Sequence, residues 1–417
     1  MKLYSENDSY KIYNGDMLDM LQVIKPESID AIVCDPPYEL GFMNKSWDST
    51  GIAFKKETWE NCLKVLKPGG YLLAFGGSRT YHRIACAIED AGFEIRDCIM
   101  YLYGCGFSKS YNIGLAIDKK NGVDNRTGNI RTDGVNNQNI CYDFKAMKPK
   151  FEERIAQNEW QGWGTCLKPA YEPIIVARKP FKGSVVDNII KYRVGGINID
   201  GCKIGNEKRT QFVGKSNGII YSEYSQKNAH FETVEGRFPA NVITDGSEEV
   251  AKGMPNTTST PIAEESAMRY FYSAKASKKD RDEGLDAFEE RKTTDGCIRA
   301  NVETARKFGA NSALRKNIHP TCKPTELMQY LVRLVSPKGA TILDPFMGSG
   351  STGKAVMFEN RERDANYKFI GIELTDEYLP IAQARIEYAR DKFKYDLEQE
   401  KVTKGKQNIF DFMESEE

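Results

Sequence analysis

The fold is decided by one stretch of the chain, Thr341 to Gly353, which reads TILDPFMGSGSTG. Its apolar start predicts a strand over Thr341 to Leu343, and the glycines that follow predict a tight turn. A helix is expected to begin directly after the turn. The stretch therefore predicts one strand, one glycine-rich loop and one helix of an α/β fold.

The same alternation continues on both sides of this stretch. Ser28 to Cys34 is a compact run rich in Ile and Val, which is typical of a strand buried on both faces of a parallel sheet. Further strands are predicted at Tyr10 to Tyr13, Tyr71 to Phe75, Lys368 to Ile372 and, completing one edge of the sheet, Glu94 to Leu102 and Pro173 to Ala177. Helices are predicted at Glu57 to Leu66, Tyr81 to Ala91, Pro324 to Val335 and Asp376 to Ala389. We therefore predict an α/β fold with a doubly wound, mostly parallel sheet.

Composition limits the class of protein. Hydrophobic residues make up 40% of the 417 residues and charged residues 28%, which is enough apolar material for a packed core. The 59 basic and 59 acidic residues cancel, so any surface that binds nucleic acid must be local. The ten cysteines include no Cys-x-x-Cys pair and there are three histidines, so no metal site is expected. With no apolar run of about 20 residues, we expect a cytoplasmic protein without a membrane helix.

The glycine loop permits three interpretations. Gly348, Gly350 and Gly353 spell a dinucleotide-type G-x-G-x-x-G, with Glu373 about twenty residues further on. Lys354 makes the loop resemble a Walker loop, but Ala355 lacks the hydroxyl that would hold magnesium. Asp344 suits a cationic ligand with an amino group better than an anionic pyrophosphate, which favours S-adenosylmethionine over NAD. A strand-to-helix turn without any ligand is the structural alternative.

The tetrad Asp35-Pro36-Pro37-Tyr38 follows the strand that ends at Cys34. The Asp35 carboxylate and the Pro36 carbonyl are suited to accept the two hydrogens of an aromatic amine and direct its lone pair at a methyl group. The two prolines make the segment rigid, and Tyr38 offers a ring on which an extruded base can stack. An Asp-capped proline turn at a strand end is the structural alternative. Cys34 is expected to be an inert packing thiol.

These two motifs and their order resemble the beta class of DNA amino-methyltransferases, which modify adenine N6 or cytosine N4. Asp-Pro-Pro-Tyr comes first in that class and Phe-x-Gly-x-Gly last, as Tyr38 and Phe346 do here. The resemblance covers Ile12 to Leu102, Pro169 to Ala177 and His319 to Ala389, and extends to phage and prophage members through the segment Phe75 to His82. It implies a circularly permuted S-adenosylmethionine-dependent methyltransferase fold and site-specific DNA methylation of the restriction-modification type.

The resemblance also implies a set of site residues. Asp35, Pro36, Pro37 and Tyr38 would be catalytic. Asp16 would bind the adenine of the cofactor, Glu373 its ribose, and Thr321 and Lys323 its carboxylate. The full predicted cofactor site is Asp16, Asp35, Thr321, Lys323, Asp344, Phe346, Gly348, Ser349, Gly350, Ser351, Thr352 and Glu373.

Four segments follow from the same comparison. We predict a catalytic half at 1–180 with a loop insertion near 104–168, a target-recognition insertion at 181–316, a cofactor-binding half at 317–392 and a charged tail at 393–417. The insertion lacks a sustained hydrophobic period and is expected to lie outside the core.

DNA is the predicted partner, with the target base flipped out of the duplex. Two groups of basic and aromatic residues are candidate DNA contacts: Arg178, Lys179, Lys182, Lys191, Tyr192, Arg193, Lys208 and Arg209, and then Arg269, Tyr270, Tyr272, Lys275, Lys278, Lys279 and Arg281. Gln407 to Phe412 loosely resembles a peptide that binds a sliding clamp, with docking on its own domain as the alternative. A homodimer is a further hypothesis.

Adenine N6 is the favoured target, because Asp at the first tetrad position resembles adenine enzymes more than cytosine enzymes. Cytosine N4 is the alternative. Two more distant functions remain open at this point: an NAD-binding oxidoreductase, which would leave the tetrad unexplained, and a DNA-binding protein without catalysis.

Overall fold

The computed structural model describes residues 2–41, 46–104, 110–123, 155–213, 230–260, 263–274, 278–292 and 314–391. The described residues form two compact units. The first draws on Met1–Gly104, Tyr171–Gly284 and Thr321–Glu417, and the second on Cys105–Ala170 and Leu285–Pro320. The described residues within 181–284 thus belong with the first unit and those within 285–316 with the second, whereas a single insertion was predicted over 181–316. The functional roles of the four predicted segments stay a prediction.

The strands, in chain order, are β1 Lys2–Glu6, β2 Tyr10–Asn14, β3 Ile29–Cys34, β4 Leu66–Phe75, β5 Glu94–Leu102, β6 Tyr171–Arg178, β7 Ile204–Val213, β8 His230–Arg237, β9 Val242–Thr244, β10 Asn256–Thr260, β11 Ala263–Ser266, β12 Tyr272–Ser273, β13 Arg291–Lys292, β14 Leu314–Arg315, β15 Thr341–Asp344 and β16 Lys368–Glu373. Ten of them form one sheet in the order β1-β2-β16-β15-β3-β4-β6-β5-β9-β12. The pairs β7–β8, β10–β11 and β13–β14 form separate two-stranded sheets.

The helices are α1 Met17–Leu21, α2 Lys56–Val65, α3 Tyr81–Asp90, α4 Ile113–Lys120, α5 Val185–Tyr192, α6 Glu248–Gly253, α7 Lys278–Asp282, α8 Thr325–Val335, α9 Ser351–Arg363 and α10 379–391. Single 3-10 turns lie at Ser46–Ser49, Ile52–Phe54, Asp200–Cys202 and Ala267–Tyr270. Among the described residues, no helix is both long and apolar enough to cross a bilayer.

The predicted fold class is confirmed. Strands β2, β16, β15, β3 and β4 run parallel, as do β5 and β9, while β6 runs antiparallel between β4 and β5. Neighbouring residues of β3 face opposite cores: Ile32 packs in the cluster that holds Trp59 of α2, and Val33 in the cluster that holds Tyr330 of α8. Helices therefore cover both faces of the sheet, which makes it doubly wound.

Two predictions about the sheet are wrong. Strands β5 and β6 do not complete its edge, because β9 and β12 extend the sheet beyond β5. These two strands lie within 181–316, which was expected to lie outside the core. They have three and two residues, and strands this short carry no measurable period-two alternation. The helix was also predicted to end at Leu66 and to be closed by residues 67–70, but residues 66–70 begin β4 instead.

The second unit contains α4 and the two-stranded sheet of β13 and β14. Asn112 caps α4 by accepting a hydrogen bond from the Leu115 N–H, and buried Asp118 accepts bonds from the Gln157 N–H and the Asn158 side chain. These polar contacts attach the segment around residue 157 to the helix.

Candidate active site

The predicted catalytic tetrad, Asp35 to Tyr38, begins where β3 ends. Because β3 is buried along its whole length, the chain emerges at Asp35 from the interior of the sheet. Asp35 Oδ2 accepts a hydrogen bond from Lys323 Nζ at 2.7 Å. Asp35 Oδ1 is buried and has no hydrogen-bond partner among the described residues. One carboxylate oxygen is thus anchored, and the other is an available acceptor.

Lys323 lies in a pocket of acceptors and aromatic rings. Its ammonium contacts Asp35, the Tyr38 hydroxyl at 3.2 Å and Glu172 Oε2 at 3.4 Å, and it lies 4.8 Å from the centre of the Phe75 ring. Burial opposes the charge of this lysine, but Asp35 and Glu172 outweigh it and raise the pKa of Lys323 well above its usual range. Lys323 is therefore a buried cation in direct contact with the tetrad.

The glycine loop follows β15 and leads into α9. Gly348 and Gly350 have positive φ values of 55° and 76°, a region that L-residues with a Cβ rarely adopt. A Cβ at Gly350 would lie 3.0 Å from Ala382 Cα, and at Gly353 it would lie 2.6 Å from side-chain atoms of Ile386 and Phe369. Backbone conformation and close packing thus require these glycines, and the N-terminus of α9 opens at Gly350.

Acidic residues end the strands around this loop. Buried Asp344 accepts hydrogen bonds from Thr352 Oγ1 at 2.6 Å and from the Phe346 N–H at 3.0 Å, and burial raises its pKa to about 7. Glu373, at the end of β16, accepts from the Gly348 N–H at 2.7 Å, and burial raises the pKa of its carboxyl. Asp16 caps α1 by accepting from the Leu18 N–H.

The two strand ends meet at one edge of the sheet. Strands β3 and β15 are parallel neighbours, so Asp35 and Asp344 leave the sheet on the same side. Thr352 Oγ1 bonds Asp344 and also lies 3.4 Å from the Val33 carbonyl of β3. Cys322 Sγ lies 3.4 Å from Ser351 Oγ, and the next residue, Lys323, contacts Asp35. The pair Cys322–Lys323 thus bridges the glycine loop and the tetrad.

The charges at this edge fit a cationic ligand. Three acidic residues, Asp35, Asp344 and Glu373, lie at the ends of adjacent strands, and Asp344, with a pKa of about 7, is only partly ionised near neutral pH. A pyrophosphate would be repelled by them, whereas a sulfonium or ammonium group would be stabilised. The unpartnered, buried Oδ1 of Asp35 further indicates that a hydrogen-bond donor is missing from the site.

Lys354, the Walker-like lysine, faces the interior instead of the loop. Its fully buried ammonium bonds Asp280 Oδ1 at 2.6 Å and Glu283 Oε2 at 3.0 Å. Burial opposes ionisation of Asp280, but Lys354 outweighs it and lowers the pKa of this carboxyl. The lysine is thus a structural ion-pair partner, in agreement with rejection of the Walker interpretation.

The glycine loop has a further internal support. Fully buried Arg385 of α10 donates to the Ser349 carbonyl at 2.6 Å and to Ser351 Oγ at 3.3 Å. The guanidinium group of Arg385 therefore holds the predicted cofactor residues Ser349 and Ser351 in place through hydrogen bonds. Phe346 packs near Trp59, with 6.2 Å between ring centres. Thr321 directly precedes the bridging pair.

The cofactor role predicted for each of these residues stays a prediction. Lys323 contacts the tetrad, Glu172 and the Phe75 ring, Asp16 caps its own helix, and Asp344 accepts from the Phe346 N–H and from Thr352. Cys34 is fully buried, and burial raises the pKa of its thiol well above the usual range, as expected of a packing residue.

Two candidate DNA contacts have internal partners. Arg178 is buried, donates to Glu94 Oε2 at 2.6 Å and stacks on Phe181. Lys179 donates to the Leu66 carbonyl at 2.8 Å. Both side chains are engaged within the fold, and the assignment of these two groups of residues to phosphate contact stays a prediction. Lys275 and the clamp-like segment 407–412 lie outside the described residues.

Sequence reasoning missed Glu172, Arg385 and Asp280. Glu172 is the second residue of β6, and only the antiparallel direction of that strand brings an acid at its start to the tetrad. Asp280 and Arg385 look like surface charges of amphipathic helices. For Glu172, the only sequence feature that could have indicated a role is its place directly before the strand-like run of residues 173–176.

A family model matches this chain over most of its length, and individual relatives match shorter parts of it. The DNA methylase model for N6 and N4 methyltransferases matches residues 29–384. The methyltransferase M.HindIII of Haemophilus influenzae is 23% identical over 229 residues, 45% of this chain and 64% of that protein. The DNA adenine methyltransferase YhdJ of Escherichia coli K12 is 38% identical over 71 residues, 17% of this chain and 22% of YhdJ.

The chain thus spans less than two thirds of the length of either relative. Among solved structures, the cytosine-N4-specific PvuII DNA methyltransferase matches with a TM-score of 0.41 at 14% identity, covering 92% of this chain and 90% of that one. The family model covers well over half of the sequence, and so this chain belongs to the N6/N4 DNA methylase family.

Proposed function

We propose that this chain is a site-specific DNA methyltransferase that uses S-adenosylmethionine to methylate the N6 amine of a flipped adenine. DNA methylation is the activity of the family to which the chain belongs. The observation that carries the proposal is the meeting of Asp35 and the glycine loop across the pair Cys322–Lys323. The carboxylate that would accept the amine hydrogens and the loop that would bind the methyl donor then lie at the same edge of the sheet.

Amine methylation requires that the nitrogen lone pair be withdrawn from the aromatic ring. Asp35 Oδ1 and the Pro36 carbonyl would each accept one amine hydrogen, which directs the lone pair towards the methyl group. Tyr38 would stack on the extruded base, since a base inside a duplex cannot reach such a pocket. The nitrogen gains a methyl group and loses one proton, and no covalent enzyme intermediate is needed, in keeping with the buried Cys34.

S-adenosylmethionine supplies an electrophilic methyl group on a positively charged sulfur when bound. The residues present fit it: Gly348 and Gly350 allow close backbone approach, Glu373 offers carboxylate oxygens to ribose hydroxyls, and Asp344 adds negative charge at pH values above about 7. Thr321, Ser349, Ser351, Thr352, Phe346 and Asp16 complete the proposed site. An oxidoreductase would need the same loop for a pyrophosphate, which these acids disfavour.

Adenine is preferred over cytosine because the tetrad begins with Asp and because one relative, YhdJ, is named a DNA adenine methyltransferase. Cytosine N4 is the second candidate. Within this proposal, residues 181–316 contribute target recognition. We also propose that the chain binds a sliding clamp and forms a homodimer. A phage or prophage origin and a location in a prokaryotic cytoplasm are proposals too.

The test is the chemical identity of the modified base. The chain is expressed in a bacterial host that lacks its own DNA methyltransferases, and the genomic DNA is digested to nucleosides for mass spectrometry. We expect N6-methyladenine at one short sequence motif, and none with Asp35→Ala. N4-methylcytosine in the digest would show that cytosine N4, the second candidate, is the target. DNA without either modified base would overturn the proposal.

A further inference from the structure

We infer that Glu172 is a positioning residue of the methyl-transfer site, which acts through Lys323 to keep one oxygen of Asp35 open for the target amine. This inference rests on the proposed function and assigns to it a carboxylate that belongs to neither motif. Glu172 lies neither in the tetrad nor in the glycine loop.

The main chain fixes where Glu172 lies. Strand β6 is paired on both sides: Ile174 opposes Phe75 at the end of β4, and Glu172 itself opposes Tyr101 of β5. The Pro173 carbonyl accepts a hydrogen bond from the Gly76 N–H at 2.9 Å. Glu172 therefore projects from a paired strand, which makes it a firmer anchor than a residue on a loop.

The ammonium of Lys323 has as many acceptors as it has hydrogens. Asp35 Oδ2, the Tyr38 hydroxyl and Glu172 Oε2 lie within 2.7, 3.2 and 3.4 Å of Nζ, and an ammonium group has three donors. Lys323 donates to Asp35 Oδ2 and to the Tyr38 hydroxyl and forms an ion pair with Glu172, so three groups together hold its ammonium on the Oδ2 side of Asp35. Asp35 Oδ1 is accordingly the one without a partner.

Glu172 also affects the charge of Asp35. One buried cation is shared by two carboxylates, so each is neutralised less than it would be in a simple pair. Burial raises the pKa of Glu172, and Lys323 partly offsets this effect. Without Glu172 the lysine would pair with Asp35 alone and weaken it as an acceptor. Position and charge thus support the same role.

The kinetic test compares Glu172→Gln with a matched control, Glu94→Gln. Glu94 lies on the neighbouring strand β5 and pairs with Arg178 of β6, at the other end of that strand. We expect Glu172→Gln to lower kcat about 10- to 100-fold with KM for S-adenosylmethionine and the melting temperature unchanged. Glu94→Gln should keep the parent kcat. Parent kcat in Glu172→Gln would overturn the inference.

A double-variant cycle separates action through Lys323 from independent action. If Glu172 acts through the lysine, adding Glu172→Gln to Lys323→Met should lower kcat by no more than about threefold beyond Lys323→Met alone. If the fold-decrease in kcat of the double variant equals the product of the two single decreases, Glu172 does not act through Lys323.

A second readout does not depend on activity. Acetic anhydride acylates neutral amines, and loss of one carboxylate partner lowers the pKa of Lys323. Acylation of Lys323, measured by mass spectrometry of its peptide, should therefore rise several-fold in Glu172→Gln. It should stay low in Glu94→Gln. Unchanged labelling would overturn the positioning inference by itself. A parent chain that labels as expected but methylates no DNA would instead overturn the proposed function.

Discussion

Asp344 is a buried acid, 2% exposed, at the end of a central strand of the sheet. Its hydrogen bonds from Thr352 and the Phe346 N–H favour the charged form, but burial outweighs them and raises the pKa to about 7. The folded protein therefore holds a proton on Asp344 at pH values where an unfolded chain, with an ordinary value of 3.8, has released it.

This difference makes stability depend on pH. Between about pH 4 and pH 7 the native state binds more protons at Asp344 than the unfolded state does, so its contribution to the free energy of unfolding is lost as pH rises through 7. Relative to Asp344→Asn, the parent should be most stable near pH 4 and lose this advantage by pH 8. Urea unfolding of both proteins across this range measures it. A constant difference would contradict the assignment.

Single residues were predictable where they carry a motif. Asp35, Gly348 and Gly350 were identified because their neighbours restrict the chemistry to few choices. Glu172 was not, because nothing adjacent to it in sequence indicates that it contacts Lys323, 151 positions away. An ion pair between a strand residue and a distant loop depends on the direction in which the strand runs, which residue patterns do not encode.

Among the secondary-structure elements, the turn between β15 and α9 offers a sharp test of the glycine loop. Gly350 and Gly339 have similar φ values, 76° and 82°. A Cβ at Gly350 would lie 3.0 Å from Ala382 Cα, whereas one at Gly339 meets no atom of the described residues within 4 Å. The two positions therefore share backbone strain but differ in available space.

Gly350→Ala should lower the free energy of unfolding by about 1–3 kcal/mol more than Gly339→Ala, because it adds a clash to the shared strain. It should also weaken binding of S-adenosylmethionine at least about tenfold, since α10 would displace the loop. Thermal unfolding and calorimetry measure both effects. Equal loss of cofactor binding in the two variants would exclude a ligand role for the loop.

Elements with enough residues were predictable, and short ones were not. Strands β3, β5 and β6 and helices α2 and α3 begin and end within two residues of the prediction, since their hydrophobic patterns are long. The edge strands β9 and β12 were not predicted, because the pairing of β9 with β5 and of β12 with β9, and not their own composition, makes them strands.

For the molecule as a whole, strand order brings distant parts of the chain together. Asp35 and Gly350 are 315 positions apart, yet β3 and β15 are neighbours in the sheet. The order of the two motifs was available from the sequence. The adjacency of their strands was only an expectation from the fold class, and the bridge made by Cys322 and Lys323 could not be foreseen.

We propose that the tetrad orients the amine while the glycine loop binds the methyl donor. Asp35→Asn keeps the shape of the side chain and separates these two roles. We predict that calorimetry gives a dissociation constant for S-adenosylmethionine within about threefold of the parent, while single-turnover methyl transfer falls at least about 100-fold. Loss of cofactor binding, or transfer at the parent rate, would contradict the account.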